Sequence, residues 1–175
     1  QFLAHTFFKL KPLKLQDLEI GYKREIQNFN AALVDKQIVT NNFYLNNNQG
    51  TNFNLGWFTQ YYYTTQSDQN TRHLLFTSLY YNLLAKPVLK TGLNYQFITF
   101  KNQVPNDYFS PKKFNAFEVF VDFLKDEQAA KANSMFYTFS GALGFQFIED
   151  QAKQGTYRIQ AKLGYKINNR FLTNL

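Results

Sequence analysis

Apolar and polar residues alternate along most of the chain with a period of two. From Asn52 to Tyr63, the residues Phe53, Leu55, Trp57, Thr59, Tyr61 and Tyr63 share one face, and Asn52, Asn54, Gly56 and Gln60 share the other. Val88 to Lys101 sets Leu89, Leu93, Tyr95 and Phe97 against Lys90, Gly92, Asn94 and Gln96, and Asn115 to Leu124 sets Phe117, Val119, Val121 and Phe123 against Glu118 and Asp122. Ser134 to Ile148 opposes Met135, Tyr137, Phe139, Leu143, Phe145 and Phe147 to Ser134, Thr138, Ser140, Ala142, Gly144 and Gln146. The strictest segment is Thr156 to Ile167, where Tyr157, Ile159, Ala161, Leu163, Tyr165 and Ile167 oppose Thr156, Arg158, Gln160, Lys162, Gly164 and Lys166. Successive side chains of a strand point to opposite faces, so the pattern predicts β structure. Leu15 to Ile26 follows it with Arg24 off pattern, and Thr71 to Leu83 follows it with Leu74 and Phe76 on the polar side. Leu3 to Lys11 and Gln37 to Asn46 carry weaker versions, and Phe171 to Leu175 begins another strand. The expected fold is all-β and antiparallel, with about ten strands.

Strand length narrows the class. Globular strands run to about five or six residues, whereas a tilted strand crossing a bilayer needs about 9 to 11. Most segments here reach a dozen. One face is broad and aromatic, and the other carries small and charged residues. A soluble lipocalin-like barrel and a transmembrane barrel both accommodate that alternation. Aromatic strand ends such as Tyr61 to Tyr63, Tyr80 and Tyr81, and Tyr157 and Tyr165 have the character of interfacial girdles and favour the transmembrane barrel.

Connection lengths then predict topology. In order they are Pro12 to Lys14, Gln27 to Lys36, Asn47 to Thr51, Thr64 to Asn70, Leu84 to Pro87, Asn102 to Phe114, Lys125 to Asn133, Glu149 to Gly155 and Asn168 to Arg170. The odd members are mostly shorter, as expected of periplasmic turns beside longer outer loops, with Lys125 to Asn133 the exception. With the first turn periplasmic, an odd number of strands is expected before Gln1, and the last strand stops partway. Residues 1–175 are thus expected to be part of a single outer-membrane barrel domain, truncated at both ends. An open edge is not viable in lipid.

Composition adds exclusions. The chain has 175 residues, 45% hydrophobic and 19% aromatic, net charge +7 and no Cys, with a mean hydropathy of -0.42. No apolar run approaches the roughly 18 to 20 residues of a membrane-spanning helix. Absence of Cys removes thiolate zinc sites, redox pairs and disulfides. The basic balance by itself does not choose among nucleic acid, lipid and acidic ligands. Basic residues scattered over turns and one strand face, without a basic patch, argue against nucleic acid.

Two loops carry a family resemblance. Ser67-Asp68-Gln69-Asn70-Thr71-Arg72 is followed by a strand, Lys86-Pro87, another strand, and Asp107-Tyr108-Phe109-Ser110-Pro111 with Phe114 opening the next strand. This run resembles the C-terminal barrel of tetratricopeptide-repeat outer-membrane exopolysaccharide exporters, of the cellulose and poly-N-acetylglucosamine secretion type. Those proteins show an Asp-Gly-Asn loop, a Pro-marked turn and a Tyr-Phe/Tyr-Ser-Pro loop at similar spacing. The resemblance covers Asn52 to Leu175, and Gln69 departs from it where the family has Gly. It implies a barrel of about sixteen strands, placed in the outer membrane of a Gram-negative bacterium. It also implies a porin-like channel passing an exopolysaccharide or other hydrated solute. The alternative is a plugged, structural barrel anchoring a periplasmic repeat domain or a partner complex. The expected partners are outer-membrane lipid, polysaccharide, and periplasmic or outer-membrane proteins.

The family-like loop residues are Asp68, Asn70, Arg72, Tyr108, Phe109, Ser110 and Pro111. Asp68 and Asn70 suit a self-bonded turn, and Pro111 fixes its φ where a loop re-enters the sheet, so a structural role competes with sugar contact. Lumen-lining residues are expected at Lys90, Asn94, Gln96, Glu118, Asp122, Arg158, Gln160 and Lys162, within a charged inner set that includes Asp17, Glu19, Lys23, Glu25, Arg72 and Lys166. Tyr62, Phe76, Tyr80 and Phe120 also fall on the inward register, suited to stacking on sugar rings or to packing against an internal loop. No catalytic residue, metal site or cofactor is expected. The two His, His5 and His73, lack metal-ligand neighbours. Glu118 and Asp122 stand about 13 Å apart along a strand, beyond either glycosidase geometry. An esterase built on His73 and Ser78 is set aside because their register puts them on opposite faces.

Overall fold

The computed structural model describes residues 3–26, 37–104, 108–125, 130–149, 151–167 and the backbone of 172–174. Ten strands follow one another: β1 (Ala4–Leu10), β2 (Gln16–Ile26), β3 (Val39–Gly50), β4 (Leu55–Gln66), β5 (Thr71–Ala85), β6 (Val88–Phe100), β7 (Phe114–Lys125), β8 (Ser134–Ile148), β9 (Gln154–Lys166) and β10 (Leu172–Asn174). They form one antiparallel meander in which every strand pairs with its neighbours in sequence. The period-two segments become strands because alternation lets one ladder segregate apolar from polar side chains at every position.

Several boundaries differ from the sequence expectation. β3 continues through Asn47, Asn48 and Gln49 to Gly50, because pairing with β2 on one side and β4 on the other continues through these amide-bearing residues; the connection is 51–54 instead of Asn47 to Thr51. β4 likewise runs to Gln66, and β5 to Ala85. Lys86-Pro87, joined by a cis peptide, is the whole of the next turn. Asp107, the connections 27–36 and 126–129, Phe171 and Leu175 lie outside the described residues.

From β3 to β9 the even-numbered residues share the polar face, and in β1 and β2 the odd-numbered ones do. A single row on that face reads Gly56, Tyr80, Gly92, Phe120, Ala142, Arg158 from β4 to β9. A bulge at Asn82/Leu84 interrupts this register once.

Burial is inverted relative to a soluble sheet protein. Asn42, Tyr44, Thr64, Ser78, Phe120, Phe136 and Ala142 are buried, and all lie on the polar face. On the opposite face Trp57, Leu93, Val119 and Leu143 are exposed, and Tyr157 and Ile159 reach 80% and 83%. Soluble antiparallel sheets bury their apolar face and solvate the other. Here side chains converge on the polar side, as on the inside of a curve, and the apolar side is spread open.

The strands are also sheared. The row through Asn46, seven residues after the start of β3 at Val39, arrives at β9 on its first residue, Gln154. At the other end, the row through Gly50, the last residue of β3, meets β9 at Arg158, eight residues short of Lys166. At roughly 3.3 Å per residue and roughly 4.8 Å between strands, a slip of that size over these six pairings tilts the strands by about 40°, within the range of closed transmembrane barrels.

Candidate functional site: the polar face and its rim

Four glycines on the polar face sit directly across from aromatic residues, and at Gly21, Gly56 and Gly92 the ring lies against the glycine. Gly21 faces Tyr44, Gly56 faces Tyr80, Gly92 faces Phe120 and Gly164 faces Phe136. A Cβ on Gly56 would stand 2.2 Å from Tyr80 Cζ, and one on Gly21 2.4 Å from Tyr44 Cζ. Missing side chains thus provide the floor on which the rings lie. At Gly92 the obstruction is backbone: a Cβ would stand 2.2 Å from the Leu79 carbonyl oxygen.

The strand carboxylates on this face each have a basic partner. Lys9 pairs with Glu19 at 3.5 Å, Lys11 with Asp17 at 3.3 Å, Lys90 with Asp122 at 3.4 Å and Arg158 with Glu118 at 3.4 Å, and Lys23 pairs with Glu25. Half-exposed pairs of this kind add little stability; their effect is to neutralise the wall locally, while Arg72, Lys162 and Lys166 add positive charge elsewhere on it. Asn94 donates to Glu118 at 3.2 Å. The Lys90 ammonium also lies 5.6 Å from the Tyr80 ring centre and 5.9 Å from that of Phe120, within cation–π range.

These groups converge on a recess of about 370 Å³. Of the residues expected from the sequence, Lys90, Asn94, Glu118, Asp122, Arg158 and Gln160 lie at it or beside it: all but Glu118 line the recess, together with Phe76, Tyr80 and Phe120, and Glu118 is tied to its edge through Asn94 and Arg158. Gln96 lies one row further along, between Phe76 and Ala116. Lys162 stands over the Phe136 ring at 5.4 Å. Phe58, Ser78 and Ser140 complete the recess. The sequence reading assigns Phe58 to neither face, although its even number in an alternating strand puts it beside Gly56 and Gln60. Tyr80, expected in an interfacial girdle as well as inward, faces the recess only. A second recess, shared through Phe58, carries Lys9, Asp17, Glu19, Asn46 and Asn48. The larger groove of about 720 Å³ lies on the opposite face among Trp57, Leu79, Leu93, Phe117 and Leu143; its walls offer hydrocarbon contact, and the Trp57 indole N–H is already given to Thr77 at 2.8 Å.

The two motif loops meet at one end of the sheet. Tyr108 is buried, and its hydroxyl accepts from Asn70 Nδ2 at 2.7 Å and faces Asp68 Oδ2 at 2.8 Å and Gln66 Oε1 at 2.9 Å. Asn70, only 1% exposed, also donates to the Asn102 carbonyl at 2.9 Å and accepts from the N–H groups of Thr71 and Asn102, each at 2.9 Å. Ser110 Oγ accepts from the Val104 N–H at 2.6 Å, and the Pro111 carbonyl accepts from the Phe100 N–H at 3.0 Å. Tyr108 packs with Ile38 and Phe100, flanked by Ile98 and Val104. Asp68, Asn70, Tyr108 and Ser110 therefore form a clasp closed around buried polar atoms. Phe109 remains exposed, edge-on to Phe114, and Arg72 lies on the polar face, donating to Thr64 Oγ1 at 3.2 Å. Gln69 occupies the left-handed region at φ 67°, which explains physically why a Gly suits that position in the resembling loops.

His73 lies on the apolar face, with Nδ1 2.8 Å from the Tyr61 hydroxyl, while Ser78 is buried on the polar face. His5 Nε2 lies 2.8 Å from the Tyr44 hydroxyl. Among the described residues no group of His, Asp and Glu is placed to hold a metal ion.

No family model and no curated protein matches the sequence. A solved structure described as a bacterial polysaccharide outer membrane secretin superposes with a TM-score of 0.71, at 13% sequence identity, over 93% of this chain and 55% of that one. The chain therefore spans about half the length of that structure. At this identity the likeness is one of fold: the ten strands are an antiparallel stretch of β-barrel wall.

Proposed function

We propose that the chain is part of an outer-membrane barrel channel, its apolar face against lipid and its polar face lining a water-filled passage for an exopolysaccharide or similar hydrated solute. The observation that carries this reading is the inverted burial, with exposed Leu143, Tyr157 and Ile159 on one side and an ion-paired, amide-rich wall on the other. The shear of the strands and the fold of a polysaccharide secretin support it. The clasped loops point, more finely, to exporters of the tetratricopeptide-repeat type. On the far sides of β1 and β10 no further strand pairs among the described residues, so closure calls for strands from elsewhere in the same protein or from a partner.

A plugged, structural barrel is the second reading. It is favoured by one feature: the loop that carries Tyr108 packs onto Phe100 and Ile98 of the polar face. Planar-bilayer recording separates the two. The channel reading expects conductance, and expects Lys90→Glu to move ion preference toward cations and Asp122→Lys toward anions. No conductance favours the plug, and conductance unmoved by either substitution contradicts the assignment of the polar face to the passage.

A further inference from the structure

Resting on the channel reading, we infer that the recess around Phe58, Tyr80 and Phe120 is a saccharide subsite selective for an uncharged polymer. Three observations combine. Its aromatic side chains come from neighbouring strands of one sheet: Phe58 and Phe76 stand 6.1 Å apart, and the Tyr80 and Phe120 rings lie over Gly56 and Gly92. Flat, rigid rings on a polar wall match the alternating C–H and hydroxyl faces of a pyranose.

At the recess each carboxylate has a basic partner, Asp122 being held by Lys90 and Glu118 by Arg158. A uronate polymer entering here meets cations already neutralised, and an aminosugar polymer meets carboxylates already neutralised. Either one exchanges an existing ion pair for a similar one, so its charge adds little net attraction. The groups left to address a ligand are dipolar, chiefly Asn94 and Gln160, and amides both donate to and accept from hydroxyls. The volume, about 370 Å³, is that of a small-ligand pocket and suits one or two sugar units of a passing chain.

The test is current block of the reconstituted full-length protein by three oligomers of equal length: a neutral glucose oligomer, an oligouronate and an oligoglucosamine. The neutral oligomer is expected to block at least about tenfold more tightly than either charged one. Phe120→Ala and Phe58→Ala are expected to abolish that advantage in channels that still conduct. Equal or tighter block by a charged oligomer overturns the inference, as does neutral block that survives both substitutions. Those outcomes leave a conducting channel and so strike the subsite alone. Absence of any conductance strikes the channel reading and the subsite with it.

Discussion

Gly92 and Gly56 look alike in sequence and differ in what opposes them. At Gly56 the obstruction is the far end of the Tyr80 ring, whereas at Gly92 it is the Leu79 carbonyl. A methyl group at position 56 can push the ring off the sheet, but one at position 92 must force β5 and β6 away from each other. Gly92→Ala is therefore expected to lower stability by about 1–3 kcal/mol, and Tyr80→Ala added to it should restore nothing. Gly56→Ala is expected to cost less, and the double variant Gly56→Ala/Tyr80→Ala should relieve the clash. Denaturant unfolding in detergent, read by intrinsic fluorescence, measures all four. Gln69 tests backbone conformation in the same way. At φ 67°, Gln69→Gly should be neutral or stabilise by up to about 1 kcal/mol, the gain in backbone ease being offset by unfolded-state entropy. Gln69→Val should destabilise, because a β-branched side chain fits that region poorly.

Among elements, the clasp between 66–70 and 108–111 is the contact with the most to lose. Tyr108→Phe removes a hydroxyl shared by Gln66, Asp68 and Asn70 and leaves their polar atoms short of a partner. A loss of about 1–3 kcal/mol is expected, together with faster proteolysis within 101–113; unchanged proteolysis would contradict a clasp. The sequence identified both loops but not their union. Residues 68 and 108 are separated by two strands, and alternation carries no information about which loops lean on each other. The long strands were readable because β8 and β9 alternate almost without error. β3 was readable only in its first half, since Asn46-Asn47-Asn48-Gln49 offers no apolar face to count, and its continuation is held by pairing on both sides. The facing of glycines and aromatics needed the register between strands, which no single-strand pattern contains.

At the scale of the molecule, the period-two pattern already assigned apolar residues to one face and Lys90, Asn94, Asp122, Arg158 and Gln160 to the other, and the structure brings those five to one recess. What the pattern could not supply was the sense of burial: a soluble barrel and a membrane barrel alternate identically. The difference lies in the spread-open face being the apolar one; the strand shear, which emerges only from pairings summed across the sheet, marks a closed barrel of either kind. These 175 residues contain no Cys, so single cysteines placed among them report on each face without background from the chain itself. Placed in turn at positions 117 to 122 of β7 in the protein reconstituted in lipid vesicles, they separate the two environments directly. Positions 118, 120 and 122 should react with a membrane-impermeant maleimide. A fluorophore attached at 117, 119 or 121 before reconstitution should be quenched by brominated acyl chains. Uniform aqueous labelling of all six, or lipid quenching at the even positions, would contradict the account.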